Sequence, residues 1–551
     1  MDMMTRRLSL SLLTLTLALT ACAGPAEQPA QPARSEPVTG GTLHIAQIAP
    51  LSLDPGLVDD SYEAALVNQL HDGLLRHDSN LNLLPSLATS WQISRDGREY
   101  TFQLKQGALF HDGTTVTADD FVFSFSRVFR LDEDQSPLAR EYLGVIAGSN
   151  AYASGEADSV SGLSVDGDYV LKVRLEKPYA SFLHAVASEF SRVVPRGYVT
   201  EHGDDVFSTN PVGAGAFRLA SWDPGKRIVL ERFDDYHGGR SHVDRVVVHT
   251  PPDPVFPRAI AKFRRDELHM VDLTLSGRDQ HGDLGHSRLH RRRELSLTFL
   301  GFNARRTPFD NVDVRRAVAH AVDHNRLTGM GQDGQAIATG VLPPGFPGYT
   351  PESKRLPFNP QLARELLEAA IPEGSMPDEL RIAVPKRGTD NDLLIEDICH
   401  QLRAVGLPAH TEYLDWDEFT RGLLSDEFDA FVLSWVADLP DPDAFFYPLF
   451  HSSGSTNHHH YSDRVLDRLL DDARAGTANV ARMDAYREAE YRILNEAAVV
   501  PIYFSTTLLA VANGVRGVEL SSMGVAQLRL DHVWLDHGSL NVVFNQSEVS
   551  R

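Results

Sequence analysis

Ser434-Trp435-Val436-Ala437-Asp438-Leu439-Pro440-Asp441-Pro442-Asp443-Ala444-Phe445-Phe446 follows directly on an apolar run, Phe428-Asp429-Ala430-Phe431-Val432-Leu433. The run has the length and composition of a short buried strand, and the prolines after it mark a stop. Such a strand delivers Trp435 and Asp438 to a loop beside the C-terminal edge of a sheet, where ligands bind in open α/β folds. A loop stiffened by two prolines can hold an indole wall next to a carboxylate, a combination that suits a positively charged ligand group. The structural alternative places Trp435 in a core and makes Asp438, Asp441 and Asp443 turn formers.

The surrounding chain is 551 residues long, too long for one ordinary core, and predicts two or three domains. Its 42% hydrophobic and 23% charged content is that of a soluble globular protein. A formal net charge of -23 argues against a nucleic-acid partner, because neutralising phosphates requires a basic face. The one basic cluster, Arg288 to Arg293, reads as a solvated face; contact with anionic lipid or a permease is its functional alternative.

The N-terminus reads as a signal peptide. Arg6-Arg7 precede an apolar stretch, Leu8 to Leu19, too short to span a bilayer. Leu19-Thr20-Ala21-Cys22 then resembles a bacterial lipobox, which makes Cys22 a lipidation site; a plain secretory signal with a chance Cys is the alternative. Residues 23–39, rich in Ala, Pro, Gln and Glu, read as a flexible tether. Cys399, the second of two cysteines, lies among apolar residues at helical spacing and reads as a small buried hydrophobe.

Further motifs follow in order. They include the strand Gly40 to Ala46, the turn Leu53-Asp54-Pro55, and a helix from Tyr62 to Leu75. His111-Asp112-Gly113 reads as a solvent-facing turn, with Thr117 and Asp120 approximating a capping box after it. Asn210-Pro211-Val212-Gly213-Ala214-Gly215 lacks the third Gly, the helix and the Lys of a nucleotide cradle, and reads as a tight turn crossing between lobes. Pro308 to Asp323 is a strongly periodic helix, and Leu380 to Leu433 has a βαβ pattern. His458-His459-His460 raises a nickel or zinc site, but three consecutive residues do not converge on one ion and no partner has ligand spacing; a surface loop is expected. His-Glu-x-x-His, Gly-x-Ser-x-Gly, the P-loop and Cys-x-x-Cys are all absent, so nothing asks for catalysis.

Trp435-x-x-Asp438-x-x-Asp441-Pro442 resembles a segment of the family 5 bacterial extracellular solute-binding proteins, the peptide-binding subunits of ABC importers. The opening strand with its Leu-Asp-Pro turn, the Phe110 to Val122 stretch, the Asn210-Pro211 turn, the Pro308 helix and the Gly340-Val341-Leu342-Pro343-Pro344-Gly345 loop are similar to that family's motifs in the same order. Ser136 to Leu138 and Ile146 to Gly155 look like an insertion of its oligopeptide-binding members. The resemblance implies an α/β, bilobal periplasmic-binding-protein (Venus-flytrap) fold of type II with an extra small domain. Lobe one would comprise residues 40–71, 195–295 and 500–551, the small domain 72–194 and lobe two 296–499, after a signal peptide at 1–22.

The implied function is a monomeric lipoprotein of the periplasm or cell envelope that captures an oligopeptide and hands it to ABC permease subunits, without metal, cofactor or catalytic residue. By the same resemblance Asp438 would hold the peptide α-ammonium and Trp435 would form a wall. The backbones of Ser434 and Val436 would pair with the ligand as an added strand. Asp60, Ser61 and Tyr62 on the other lobe would also meet its backbone. Ser434 stands where the family usually has Gly, and Val432 where an upstream Arg is common, so the seat of the peptide carboxylate stays open. A nickel or metallophore receptor resting on the histidines, and an enzyme acting on peptides in the cleft, are the competing readings.

Overall fold

The structure is a computed structural model that describes residues 36–536, apart from 59, 132–136, 253–254, 275, 277–280, 286, 329, 331–334, 353, 387–389 and 477. Cys22, most of the tether and Ser136 lie outside the described residues. Two main sheets organise the chain. The first has seven strands in the order Ser287–Arg293, Thr506–Ala512, Met270–Asp272, Thr42–Ala46, Arg245–His249, Arg227–Arg232 and Phe217–Asp223. The second has six, in the order Ala336–Ile337, Val499–Phe504, Ser296–Phe302, Ala430–Val436, Leu380–Pro385 and Ala409–Leu414. A four-stranded antiparallel sheet, Ala88–Ile93, Glu99–Leu104, Val170–Arg174 and Leu163–Val165, forms the heart of the small domain.

Apolar content explains the layering. All seven residues of Ser296–Phe302 are buried, as a strand covered on both faces requires. The Leu380–Pro385, Ala409–Leu414 and Ala430–Val436 strands run parallel, joined by the helices Asp390–Ala404 and Trp416–Leu424, which is a βαβ succession. Buried Cys399 packs with Leu394, Ile395 and Leu402, and burial pushes its thiol up to about 12, so it is an inert filler of that core. Arg288–Arg293 occupies the exposed edge strand of the first sheet, where charge discourages pairing with another chain's strand.

The chain passes between the two sheets at Glu294–Leu295 and again at Ser505, and these crossings bond to each other through Glu294 N–H to Ser505 O at 3.0 Å. The second crossing corrects the expected boundary at 499/500. Val499–Phe504 pairs with Ser296–Phe302, so the chain leaves the second sheet five residues later. The periodic helix likewise runs over Val312–Ala321 and not from Pro308, because Asn311 caps it by accepting from the Asp313 N–H at 2.9 Å.

Two further expectations are corrected. His111 faces inward: its ring bonds Gly215 O at 3.1 Å and accepts from Gly213 N–H at 3.1 Å. The Asn210–Gly215 turn does not cross between lobes. It lies between the first lobe and the small-domain His111, and a Cβ on Gly213 would stand 2.0 Å from Leu70 O and one on Gly215 2.4 Å from Gln69 O. Only glycine permits that approach.

One apolar core runs from the small domain, through Phe121, Tyr142, Phe182 and Phe190, into the second lobe at Phe299, Phe346, Phe445 and Phe446. The two are therefore packed together, which bears on the site below.

Candidate binding site

Ala430–Val436 pairs antiparallel with Ser296–Phe302 along its whole length, Ser434 opposite Thr298 and Trp435 opposite Leu297. Its parallel neighbour on the other edge pairs only at Ala430 and Phe431. Among the described residues no strand covers that edge from Val432 to Val436, so main-chain groups beside Ser434 and Val436 face an open position. The Ser434 hydroxyl bonds Thr298 Oγ1 at 2.7 Å, and Ala437 N–H donates to Leu295 O at 2.8 Å, which ties the strand end to the first crossing.

Trp435 is half-buried, and its Nε1–H donates to Ala444 O at 2.8 Å, closing the proline loop over its indole. The loop then divides its three aspartates. Asp441 accepts from Asp443 N–H at 3.0 Å, as a turn former does, and also pairs with Arg482 at 2.8 Å. Asp443, with a side chain 1% exposed, accepts from Arg474 Nε at 3.0 Å and Tyr179 OH at 3.1 Å. Turn formation alone therefore does not describe them; both are anchors, and Tyr179 comes from the small domain.

Asp438 is different. Its one protein hydrogen bond among the described residues is from Tyr142 OH to Oδ2 at 2.9 Å. Its surface is partly open to water, yet protein closes round the carboxylate. Burial, with Glu141 and Glu189 nearby, pushes its carboxyl up to about 8 against the opposing bond from Tyr142. No Arg, Lys or His pairs with it among the described residues. The site can thus accept a cation that the protein itself does not supply.

Tyr142, on the Pro137–Leu143 helix, is a site residue that sequence reasoning missed; it lies 296 positions from Asp438 and no local signal joins them. Its ring stacks on Phe190, centroids 5.3 Å apart, which fixes where the hydroxyl points.

On the first lobe, Asp60 is the N-cap of Ser61–Leu70 and accepts from Tyr62 N–H at 2.6 Å and Glu63 N–H at 2.9 Å. Tyr62 O accepts from Gln47 Nε2 at 3.0 Å, so both main-chain groups of Tyr62 are already engaged. Its phenol instead donates to Asp272 Oδ2 at 3.1 Å, near Glu294. Burial pushes Glu294 up to about 7 although Thr507 Oγ1 donates to it at 2.7 Å. Among the described residues no hydrogen bond or ion pair links Asp60, Ser61 or Tyr62 to Trp435 or Asp438.

The triple histidine is not a surface loop. His459 is 1% exposed, lies edge-on to Phe299 and against Phe450, and burial takes its pKa down to about 3; His460 pairs with Asp426. The segment is a turn with His460 at φ 50°, so His459 and His460 face different partners and do not converge. Among the described residues no group of three His, Cys, Asp or Glu could hold a metal ion, and no helix is long and apolar enough to cross a membrane.

The fold agrees with what comparison with known proteins finds. Residues 82–457 match the bacterial extracellular solute-binding proteins, family 5 (Middle), and the chain belongs to that family. It is 27% identical over 549 residues to heme-binding protein A of Haemophilus influenzae, covering 94% of this chain and 97% of that one. It is 26% identical over 493 residues to the dipeptide-binding protein of Escherichia coli, covering 85% and 89%. Among solved structures, the periplasmic binding protein DppA of Helicobacter pylori in complex with the peptide STSA superposes with a TM-score of 0.78 at 24% identity, covering 91% and 99%. The bilobal α/β architecture with an added small domain is shared with it.

Proposed function

We propose that this protein is the substrate-binding component of an ABC importer, taking an oligopeptide between its lobes and delivering it to membrane permease subunits. In this reading Asp438 holds the peptide α-ammonium and Trp435 walls the first residue. The open edge beside Ser434 and Val436 takes the peptide main chain. Tyr62 faces the ligand through its phenol, with Asp60 and Ser61 shaping the helix start beneath it. Cys22 carries the lipid that keeps the receptor at the membrane, and the protein works as a monomer without cofactor or catalytic step.

The observation that carries this is the Asp438 carboxylate: enclosed, bonded by one tyrosine, near two glutamates, and lacking a cation among the described residues. An ammonium arriving there replaces an unfavourable free state with an ion pair strengthened by the low local dielectric. The ligand names of the E. coli and H. pylori relatives support a peptide.

Calorimetry with a peptide series, each with a free or acetylated N-terminus, tests the proposal. Removing one partner of a buried charge pair costs about 2–5 kcal/mol, so Asp438→Asn or acetylation is expected to weaken binding by roughly 30- to 5,000-fold. Equal affinity in both would overturn the assignment of Asp438. Heme belongs in the ligand series because the H. influenzae relative bears that name; tight heme binding indifferent to Asp438→Asn would replace the peptide reading.

A further inference from the structure

A cavity not lined by Asp438 lies where the small domain meets the first lobe. It holds about 330 Å³ and is lined by Arg76, Lys105, Tyr236, His237, Arg529 and His532, among others. That volume is at the small end of ligand pockets, which run to roughly 300–1,000 Å³.

Its charge runs against the rest of the molecule. The chain carries 75 acidic against 52 Lys and Arg residues, yet this wall has three cations, two histidines and one carboxylate, Asp531. Asp531 is already committed to Arg529, which donates to it at 2.8 and 2.7 Å. Lys105 Nζ spends one donor on His237 O. Arg76, half-buried on the Leu75–His77 strand, makes no side-chain hydrogen bond or ion pair among the described residues.

Ordinary surface cations are not gathered in this way. A guanidinium fork and a lysine with donors to spare together match a planar-faced or tetrahedral oxyanion. We propose that this cavity binds a phosphate group, held by Arg76 and Lys105. Arg529, tied down by Asp531 and by Tyr236 at 3.2 Å, is the rigid back of the site. The group could belong to a small soluble phosphate or to a phospholipid headgroup, and the chemistry of recognition is the same.

The experiment titrates the protein without its leader and Cys22 anchor, residues 23–551, with inorganic phosphate and glycerol phosphate by calorimetry. In parallel it measures flotation with phosphatidylglycerol or phosphatidylcholine vesicles. Arg76→Gln is expected to weaken the response about tenfold or more, with Lys105→Gln acting in the same direction. Peptide affinity should not change in either variant, because neither side chain supports the Asp438 site, and Tm should hold in Arg76→Gln, which breaks no hydrogen bond among the described residues. Binding of the soluble phosphates identifies a small-molecule ligand. Binding only to phosphatidylglycerol vesicles identifies a headgroup. No response from the wild type in either assay, or responses equal in wild type and Arg76→Gln, overturns the proposal.

Discussion

Asp438 and Asp443 sit five residues apart on one loop, both meet the small domain through a tyrosine, and they have opposite fates. Asp443 is surrounded by Tyr179, Tyr486 and the Arg474 guanidinium, which itself lies 3.6 Å from the centroid of Tyr447. Asp438 meets Tyr142 and, among the described residues, no cation. Burial raises both carboxyls, but only at Asp443 does an arginine oppose the rise. A buried charge with its counter-ion serves the scaffold; one left without it is available to a ligand.

The sharpest break of this contrast is at Asp443. Asp443→Asn leaves Arg474 with Glu141 alone and is expected to lower unfolding stability by about 3–5 kcal/mol, read by urea denaturation. A loss under about 1 kcal/mol, the worth of a surface ion pair, would erase the difference between the two aspartates.

The same substitution at Asp438 should spare stability near pH 6, where that carboxyl is mostly protonated, while losing the peptide affinity described above. Stability should then diverge with pH. A folded pKa of about 8, above the ordinary carboxyl value, contributes stability that is present below about pH 4 and lost as pH rises through 8. Asp438→Asn should therefore have the higher Tm at about pH 9 and not at about pH 4.

Peptide affinity carries the complementary sign. Pairing with an ammonium draws Asp438 back to its charged form, so binding below pH 8 releases a proton and affinity rises with pH by up to about tenfold per unit. Calorimetry in buffers of different ionisation enthalpy measures that proton. Zero release near pH 6 would place the ammonium elsewhere.

The smallest effect belongs to Tyr142→Phe, which removes one hydrogen bond worth about 0.5–1.5 kcal/mol. Because that bond holds the Asp438 carboxyl down, its loss should move the midpoint of the affinity–pH curve upward. A downward shift would show that Tyr142 opposes the charged form.

Local features carry much of this into the sequence. The apolar run at Ala430–Leu433, the alternation at Val170–Arg174 and the caps at Asn311 and Thr117 are decided by nearest neighbours, and their elements form where those signals stand. Helix periodicity overruns at Pro308 because an Asn cap, not hydrophobicity, sets the start. His111 and His459 mislead for one reason: polar side chains next to turns read as exposed, while distant partners, Gly215 for one and Phe299 for the other, cover them. The strand at Val499–Phe504 is uniformly buried and apolar enough to suit either sheet, so its membership is not legible locally.

The amino-acid order alone determined the strand that presents Trp435 and Asp438, the family of the chain, and an excess of negative charge, since these rest on short-range pattern and composition. The tertiary structure decided which aspartate is left without a counter-ion. That outcome depends on Tyr142 standing 296 residues from Asp438, and on Tyr179 and Arg474 standing 264 and 31 residues from Asp443. A carboxylate's electrostatic state is a sum over everything packed around it, and packing partners at such separations leave no trace in the residues beside it.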